Sequence, residues 1–114
     1  MNDFDNYQDF ALSTALYPKA GYNLVYPALG IAGEAGEYAD KVKKLWRNKG
    51  TMSAENLTPE QRKEFAKELG DVLWYIAASA EELGFSLSDV VDINVEKLTD
   101  RRSRGVIKSE GDNR

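Results

Sequence analysis

The sequence predicts an all-α fold: a four-helix bundle within a single domain over residues 1–114. Two observations predict it. Apolar residues recur at steps of three and four along most of the chain, which is the period of a helix face. The strict alternation typical of half-buried strands is missing, and no two-residue hairpin signal separates the apolar segments. Short connectors between helices favour a bundle, and residues 105–114 are predicted to be a polar tail.

The first predicted helix runs from Asn2 to about Leu16. Its early acidic residues suit the positive end of a helix dipole, and its apolar residues follow helical spacing. These spaced apolar residues are Phe4, Tyr7, Ala11 and Leu12. Pro18 and Gly21 then interrupt the pattern, which predicts a connector over residues 17–25.

The second predicted helix covers residues 27–48, with Pro27 at its first position and Gly50 as the stop signal. Its apolar residues alternate in steps of four and three, as on one helix face: Ile31, Ala35, Tyr38, Val42 and Leu45. Each glycine in this segment lowers helix propensity by about 1 kcal/mol relative to alanine. Because glycine is small, a neighbouring group can approach the helix backbone closely at these positions.

The third predicted helix has a strong start signal. Thr58 and Gln61 have the spacing of a capping box, and Pro59 between them suits the first helical position. The helix is predicted to continue until Gly84, after a loop over residues 51–57. Its buried stripe is formed by Phe65, Leu69, Val72, Ile76, Ala80 and Leu83.

The fourth predicted helix starts at another capping signal. Ser86 is followed by Asp89 at the third position, so each side chain can bond to the other residue's backbone amide. The apolar residues continue toward Arg104, where Gly105 ends the pattern. Four helices are therefore predicted.

The composition excludes several kinds of chemistry. The chain has no cysteine and no histidine, which excludes disulfides, thiol or imidazole catalysis and the usual Cys/His zinc sites. A net charge of −4 disfavours a nucleic-acid partner, since affinity for phosphate backbones comes largely from lysine and arginine. The longest apolar run is too short to cross a bilayer, and no signal peptide follows Met1. We therefore expect a cytoplasmic protein that binds neither a membrane nor nucleic acid.

Two pairs of acidic residues are the candidate functional groups. Glu34 and Glu37 lie three apart on the second predicted helix, and Glu68 and Asp71 lie three apart on the third. Residues three apart on a helix point the same way, and packed helix axes lie about 8–10 Å apart, so the four carboxylates can reach one point. Oxygen ligands without imidazole or thiolate favour Mg²⁺ or Mn²⁺ over zinc.

The same acids also fit a purely structural interpretation. Glu37 with Lys41, and Asp71 with Lys67, have the spacing of ion pairs on a helix surface, worth about 0.2–0.5 kcal/mol each. Glu34, in contrast, has no basic residue three or four positions away and borders the apolar stripe. Acids that gather beside a core raise one another's pKa values unless a cation joins them. Both interpretations stay open at this point.

The segments that carry these acids resemble a known family. GIAGEAGEYADKVKK followed by KELGDVLWYIAA resembles the all-α NTP pyrophosphohydrolases of the MazG-like superfamily, whose signature is Glu-x-x-Glu on one helix and Glu-x-x-Asp on the next. The ending SRGVIKSEGDNR is similar to that of short stand-alone members from phages and bacteria. The resemblance implies Mg²⁺-dependent hydrolysis of a nucleoside or deoxynucleoside triphosphate between the α and β phosphates. The products are then a monophosphate and pyrophosphate.

The resemblance also implies the roles of individual residues. The Mg²⁺ ligands become Glu34, Glu37, Glu68 and Asp71, with Mn²⁺ as a substitute metal. We assign Glu37 a second role, the orientation of the attacking water, because one glutamate need not be fully committed to the metal. Lys97 and Arg101 become contacts to the triphosphate, with Asn94 as a supporting polar contact. Family members form homodimers or homotetramers with sites near the subunit interfaces, and we expect the same here.

Two aromatic residues are the candidates for base recognition. Trp46 lies near the end of the second helix and Tyr75 lies one turn beyond Asp71, so each is a candidate to stack on a base. For Trp74 and Tyr38 we favour packing in the core or at an interface. The competing function is a non-catalytic helical protein that uses the acidic face to bind a metal or a partner.

Overall fold

The computed structural model describes residues 3–105, which form four α-helices and no strand. They are α1 (Asp3–Ser13), α2 (Val25–Lys49), α3 (Pro59–Glu82) and α4 (Leu87–Ser103), with a single 3₁₀ turn at Ala54–Asn56 before α3. The predicted all-α class is confirmed. Residues 106–114 of the predicted polar tail lie outside the described residues. Within residues 3–105 no helix is both long and apolar enough to span a bilayer.

The first helix ends earlier than the sequence predicts. α1 was expected to reach Leu16 but stops at Ser13. The backbone amide of Thr14 bonds to the carbonyl three residues back, at 3.0 Å, so the last turn is tightened rather than continued. Pro18 gives the reason, because a proline disfavours helical backbone at the residue before it and the chain must already be leaving the helix.

The second helix begins two residues earlier than predicted and ends one residue later, at Lys49, just before the predicted stop at Gly50. α2 starts at Val25, which places Pro27 within the first turn, where backbone amides need no intrahelical partner. The side-chain oxygen of Asn23 accepts a hydrogen bond from one of these amides, that of Tyr26, at 3.0 Å. At the other end Gly50 adopts a left-handed conformation (φ 67°) and donates its amide to the last turn of the helix.

The two predicted capping boxes are both present. The Thr58 hydroxyl accepts from the Gln61 amide at 3.1 Å, and the Gln61 side chain accepts from the Thr58 amide at 2.9 Å. Ser86 and Asp89 exchange the equivalent bonds at the start of α4, at 3.0 and 3.1 Å. These local signals fix the starts of α3 and α4.

The helices α2 and α3 form an antiparallel hairpin, and the other two helices pack around the end of α3. Gly30, early in α2, lies against Tyr75, late in α3. α1 contacts both α3 and α4, and the small core between them contains the buried residues Ala11, Ala77 and Leu87. The hairpin therefore carries both pairs of acids and places them on facing helices.

One carboxylate anchors the connector between α1 and α2. Glu82, at the end of α3, accepts hydrogen bonds from the Tyr17 hydroxyl, from the Gly21 amide at 2.7 Å and from the Asn23 amide at 3.0 Å. The hydrogen bond from Tyr17 has the largest effect on the pKa of Glu82, and it holds this pKa below its usual value together with the bonds from the two amides. Burial and the same bond raise the pKa of Tyr17 to about 12.

This anchor predicts how stability depends on pH. We expect Glu82→Gln to lower the free energy of unfolding at neutral pH, because the charged acceptor of three donors is lost. A depressed carboxylate pKa stabilises the fold above the unfolded value, 4.5, and this contribution is lost as the pH falls through the lower folded value. The difference in the free energy of urea unfolding between variant and wild type should therefore shrink as the pH is lowered below 4.5.

The neighbouring acid provides the control for this experiment. The Glu81 side chain is exposed and accepts no hydrogen bond within residues 3–105. The free energy of unfolding of Glu81→Gln should therefore change between neutral and acid pH as that of the wild type does. If the free energies of unfolding of the wild type and of Glu82→Gln differ by the same amount at both pH values, the charge of Glu82 does not stabilise the connector.

Many large apolar side chains remain at the surface of this single chain. The radius of gyration is 16.8 Å, whereas a compact domain of this length has about 13 Å. Side chains at least half exposed include Phe10, Leu16, Tyr22, Val25, Leu29, Met52, Ile93 and Val95. An apolar surface of this extent is typical of a protein that buries part of it against another molecule.

Candidate functional site

Three of the four predicted acids meet across the seam between α2 and α3. Glu34, Glu37 and Glu68 each place one carboxylate oxygen within 4.8 Å of the others. Glu34 and Glu68 are partly buried in the seam, and Glu37 is exposed at its edge. Because the two glutamates of α2 are three residues apart, they face α3 together, as the sequence predicts.

The fourth acid lies beside this group. Asp71 is exposed and is not among the three acids whose oxygens come together. It shares with Glu34 a cavity of about 340 Å³, which is also lined by Thr14, Trp74 and Tyr75. The cavity therefore has a carboxylate side formed by Glu34 and Asp71 and an aromatic side formed by α3.

Two oxygens in this group have no hydrogen-bond partner within residues 3–105. Glu34 Oε2 and Glu68 Oε2 are both buried, and neither makes a hydrogen bond within the described residues. A buried acceptor without a partner costs about 1–3 kcal/mol, more when it is charged, so such atoms usually have a ligand, an ion or water. An all-oxygen donor set of carboxylates fits Mg²⁺ or Mn²⁺, as the sequence predicts.

The electrostatics of the group also favour a cation. Burial raises the pKa of Glu34, and the negative charges of Glu37, Asp71 and Glu68 raise it further. A positive ion between these carboxylates would favour their charged forms and reverse the effect.

The lysines do not form the surface pairs that the structural interpretation expected. Lys41 reaches across the seam to Glu68, with Nζ 2.8 Å from Oε1, instead of pairing with Glu37. Lys67 pairs with Glu64, one turn earlier, at 3.0 Å. Both expected pairs, Glu37 with Lys41 and Asp71 with Lys67, are therefore wrong for the described part of the chain. The physical reason for the first is that Glu68, partly buried on the facing helix, offers Lys41 a less solvated partner than the exposed Glu37.

Tyr75 is packed directly onto the backbone of α2. A Cβ atom built on Gly30 would lie 2.3 Å from two ring carbons of Tyr75, so only glycine leaves room for this ring. The ring also lies beside Tyr26, with centroids 6.2 Å apart, and beside Trp74 at 5.1 Å. Of the two aromatic residues predicted to stack on a base, Tyr75 is the one that lines the cavity of the acids.

Trp46 lies in a different place. It lines a separate cavity of about 290 Å³ formed by the end of α2, the connector and the start of α3, which shares no lining residue with the cavity of Glu34 and Asp71. Tyr38 also lines this second cavity and packs edge-to-face on Phe65, with centroids 6.5 Å apart, as the favoured packing role expects.

The predicted triphosphate contacts do not line the cavity of the acids within one chain. Arg101 is buried, Lys97 is partly buried, and Asn94 lines a groove between α1, α3 and α4. None of these three residues lines the cavity of Glu34 and Asp71. The reason is that α4 packs on α1 and α3, whereas the acids lie in the seam between α3 and α2.

Sequence reasoning missed two residues of the site. Thr14 reaches the cavity from the end of α1, where its hydroxyl accepts a hydrogen bond from the Trp74 indole at 2.8 Å. No sequence pattern indicated this contact, because it depends on how α1 docks. Lys41 had a signal, since it lies four residues after Glu37 on the same face of the helix.

Comparisons with known proteins agree with this geometry. The model of the MazG nucleotide pyrophosphohydrolase domain matches residues 27–106, a segment that includes all four acids. Gene 37 protein of Mycobacterium phage L5 is 46% identical over 96% of this chain and 97% of its own length. The uncharacterized protein YvdC of Bacillus subtilis (strain 168) is 36% identical over 75% of this chain and 84% of its own. No solved structure matches. The extent of the domain match and of these similarities shows that the chain belongs to the MazG nucleotide pyrophosphohydrolase domain family.

Proposed function

We propose that the protein is a Mg²⁺-dependent pyrophosphohydrolase that cleaves nucleoside or deoxynucleoside triphosphates between the α and β phosphates. The observation that carries the proposal is the meeting of three glutamate oxygens within 4.8 Å, in a chain of this family. The buried, unpartnered oxygens of Glu34 and Glu68 support a cation at this point. The enzyme would act in the cytoplasm, where triphosphates and Mg²⁺ are plentiful.

The exposure of each acid suggests its role. Glu34 and Glu68, in the seam, would be the main metal ligands, and Asp71 would complete the set from the cavity wall. Glu37 is exposed and close to them, so its carboxylate would orient the attacking water and accept its proton. When bound, Mg²⁺ supplies charge neutralisation at the phosphate oxygens and activation of water, which a site without histidine needs.

Tyr75 is the proposed wall for the base or sugar. Its ring is fixed between Gly30, Tyr26 and Trp74, and it faces the cavity that Glu34 and Asp71 share. A rigid aromatic residue loses little conformational entropy when a base stacks on it. Trp46 remains a prediction, because its cavity is a separate one.

We also propose that the active protein is a homodimer or homotetramer in which a second copy completes each site. The exposed apolar surface supports association, particularly on α4, where Ile93 and Val95 are more than half exposed. Lys97 and Arg101 lie on the same helix and do not line the cavity of Glu34 and Asp71 in their own chain. They would therefore contact the triphosphate held by a partner, together with Asn94.

Mixed assemblies test which chain supplies Lys97. Glu68→Gln and Lys97→Ala should each be inactive alone. A mixed dimer of the two, isolated with two affinity tags, should recover about half of the wild-type activity, because one of its two sites is then intact. The matched control pairs a wild-type chain with a chain that carries both substitutions, and it should be inactive. The opposite result, an active control and an inactive mixed dimer, would mean that Lys97 acts within its own chain.

A product analysis tests the function itself. The protein is incubated with each of the eight common triphosphates and Mg²⁺ or Mn²⁺, and the products are separated by anion-exchange chromatography. We expect monophosphate and pyrophosphate for at least one nucleotide, with no reaction in the presence of a chelator. Release of diphosphate and orthophosphate would contradict the proposed bond cleavage. No product from any nucleotide would favour a non-catalytic role for the acidic face.

A further inference from the structure

A lysine of the chain already neutralises part of the candidate metal site. We propose that Lys41 is an internal counter-ion that competes with a divalent cation at Glu68, and so weakens binding of the free cation. The inference rests on the proposed function, because it concerns the same site. The inference adds to the proposed function a residue that controls when the site binds its divalent cation.

The contact between the two side chains is specific. Lys41 Nζ lies 2.8 Å from Glu68 Oε1, and Glu68 is only 13% exposed. The other oxygen of Glu68 is buried and has no hydrogen-bond partner in the described part of the chain. Lys41 itself is 41% exposed on a flexible four-carbon stem, so its ammonium group can withdraw into solvent when a cation approaches Glu68.

The charges give the direction of the effect. Glu34, Glu37 and Glu68 place three carboxylate oxygens within 4.8 Å, so positive charge at this point is stabilised whichever cation supplies it. An ammonium group and a divalent ion that share Glu68 repel each other. The wild-type site must therefore lose or weaken the Lys41 contact when it binds the ion, and a chain without that lysine should bind the ion more tightly.

The competition would link metal loading to the substrate. A triphosphate arrives with a bound cation and adds negative charge, which offsets the repulsion from Lys41. A free cation brings no negative charge to offset the repulsion from Lys41. Lys41 would thus favour binding of metal and nucleotide together over binding of metal alone.

A nearby lysine makes a matched control. Lys44 is on the same helix and is paired with Asp40 at 2.8 Å. The two side chains are 54% and 42% exposed, and neither belongs to the acidic group. Removing Lys44 changes the net charge of the protein as removing Lys41 does. The effect of removing Lys44 on cation binding therefore measures the long-range contribution of one positive charge, without a direct contact to the acids.

The test is direct binding of Mn²⁺ without nucleotide, followed through the electron paramagnetic resonance signal of the free ion, with Mg²⁺ calorimetry as a second measurement. We expect Lys41→Met to lower the dissociation constant by at least about threefold, because a close, partly desolvated repulsion is removed. Lys44→Met and the charge-conserving Lys41→Arg should bind as the wild type does. Circular dichroism confirms the fold, and Lys41→Gln replaces Lys41→Met if the latter does not fold.

The outcomes separate this inference from the proposed function. Unchanged or weaker binding by Lys41→Met, with a wild type that binds, would overturn the role of Lys41 and leave the hydrolase proposal intact. Tighter binding in a protein that hydrolyses no nucleotide would support the counter-ion and overturn the hydrolase proposal. A wild type that binds neither ion would overturn both.

Discussion

Glu68→Gln is expected to reduce pyrophosphate release by about three orders of magnitude. The carboxylate of Glu68 is the one contribution of α3 to the three oxygens that meet in the seam. Glutamine keeps its size but removes its charge, and loss of a metal's electrostatic contribution is worth several kcal/mol of transition-state stabilisation, about tenfold in rate for each 1.4 kcal/mol. The rate is measured as phosphate formed in the presence of added pyrophosphatase, with the best nucleotide of the screen.

The control is the acid one turn earlier on the same helix. Glu64 is largely exposed, pairs with Lys67 and is not among the acids whose oxygens meet in the seam. Glu64→Gln should therefore retain turnover close to that of the wild type. If Glu68→Gln keeps most of its activity while its helical spectrum is unchanged, the acids of the seam are not the catalytic site.

Gly30→Ala is expected to destabilise the protein by about 1–3 kcal/mol, although alanine is the better helix former. The added methyl group would lie 2.3 Å from ring carbons of Tyr75, and this ring cannot yield easily because Tyr26 and Trp74 flank it. The aromatic side of the cavity must therefore move. Urea unfolding measures the loss, and near-ultraviolet circular dichroism reports the displaced ring.

Two other glycines of α2 provide the control. A Cβ atom at Gly33 or at Gly36 meets no atom of the described residues within 4 Å. Alanine there should therefore raise the free energy of unfolding by up to about 1 kcal/mol through helix propensity. A Gly30→Ala variant as stable as Gly36→Ala would show that Tyr75 does not depend on contact with the backbone of α2.

Local signals in the sequence were enough to predict most of the fold. The capping boxes at Thr58 and Ser86 and the stop at Gly50 depend only on neighbouring residues, so they appear in the structure where they were predicted. The end of α1 was predicted three residues too late, because apolar spacing continues to Leu16 after the backbone has already turned toward Pro18.

The candidate site was predictable where it depends on the spacing of residues along one helix. The three-residue spacing that joins Glu34 to Glu37 is a property of one helix, and their approach to Glu68 follows when the two helices pack as a hairpin. Contacts that depend on docking were not predictable. Thr14 reaches the cavity only because α1 packs on α3, and Lys41 selects a partner across the seam rather than along its own helix.

The positions of the two tryptophans make the protein its own optical probe. Trp74 lines the cavity of Glu34 and donates its indole hydrogen to Thr14, whereas Trp46 lies in the separate cavity at the far end of the hairpin. In a Trp46→Phe chain, excitation at a wavelength that tryptophan absorbs and tyrosine does not therefore gives emission from the acid-lined cavity alone. Its emission maximum and quenching then follow the entry of a nucleotide without any attached dye.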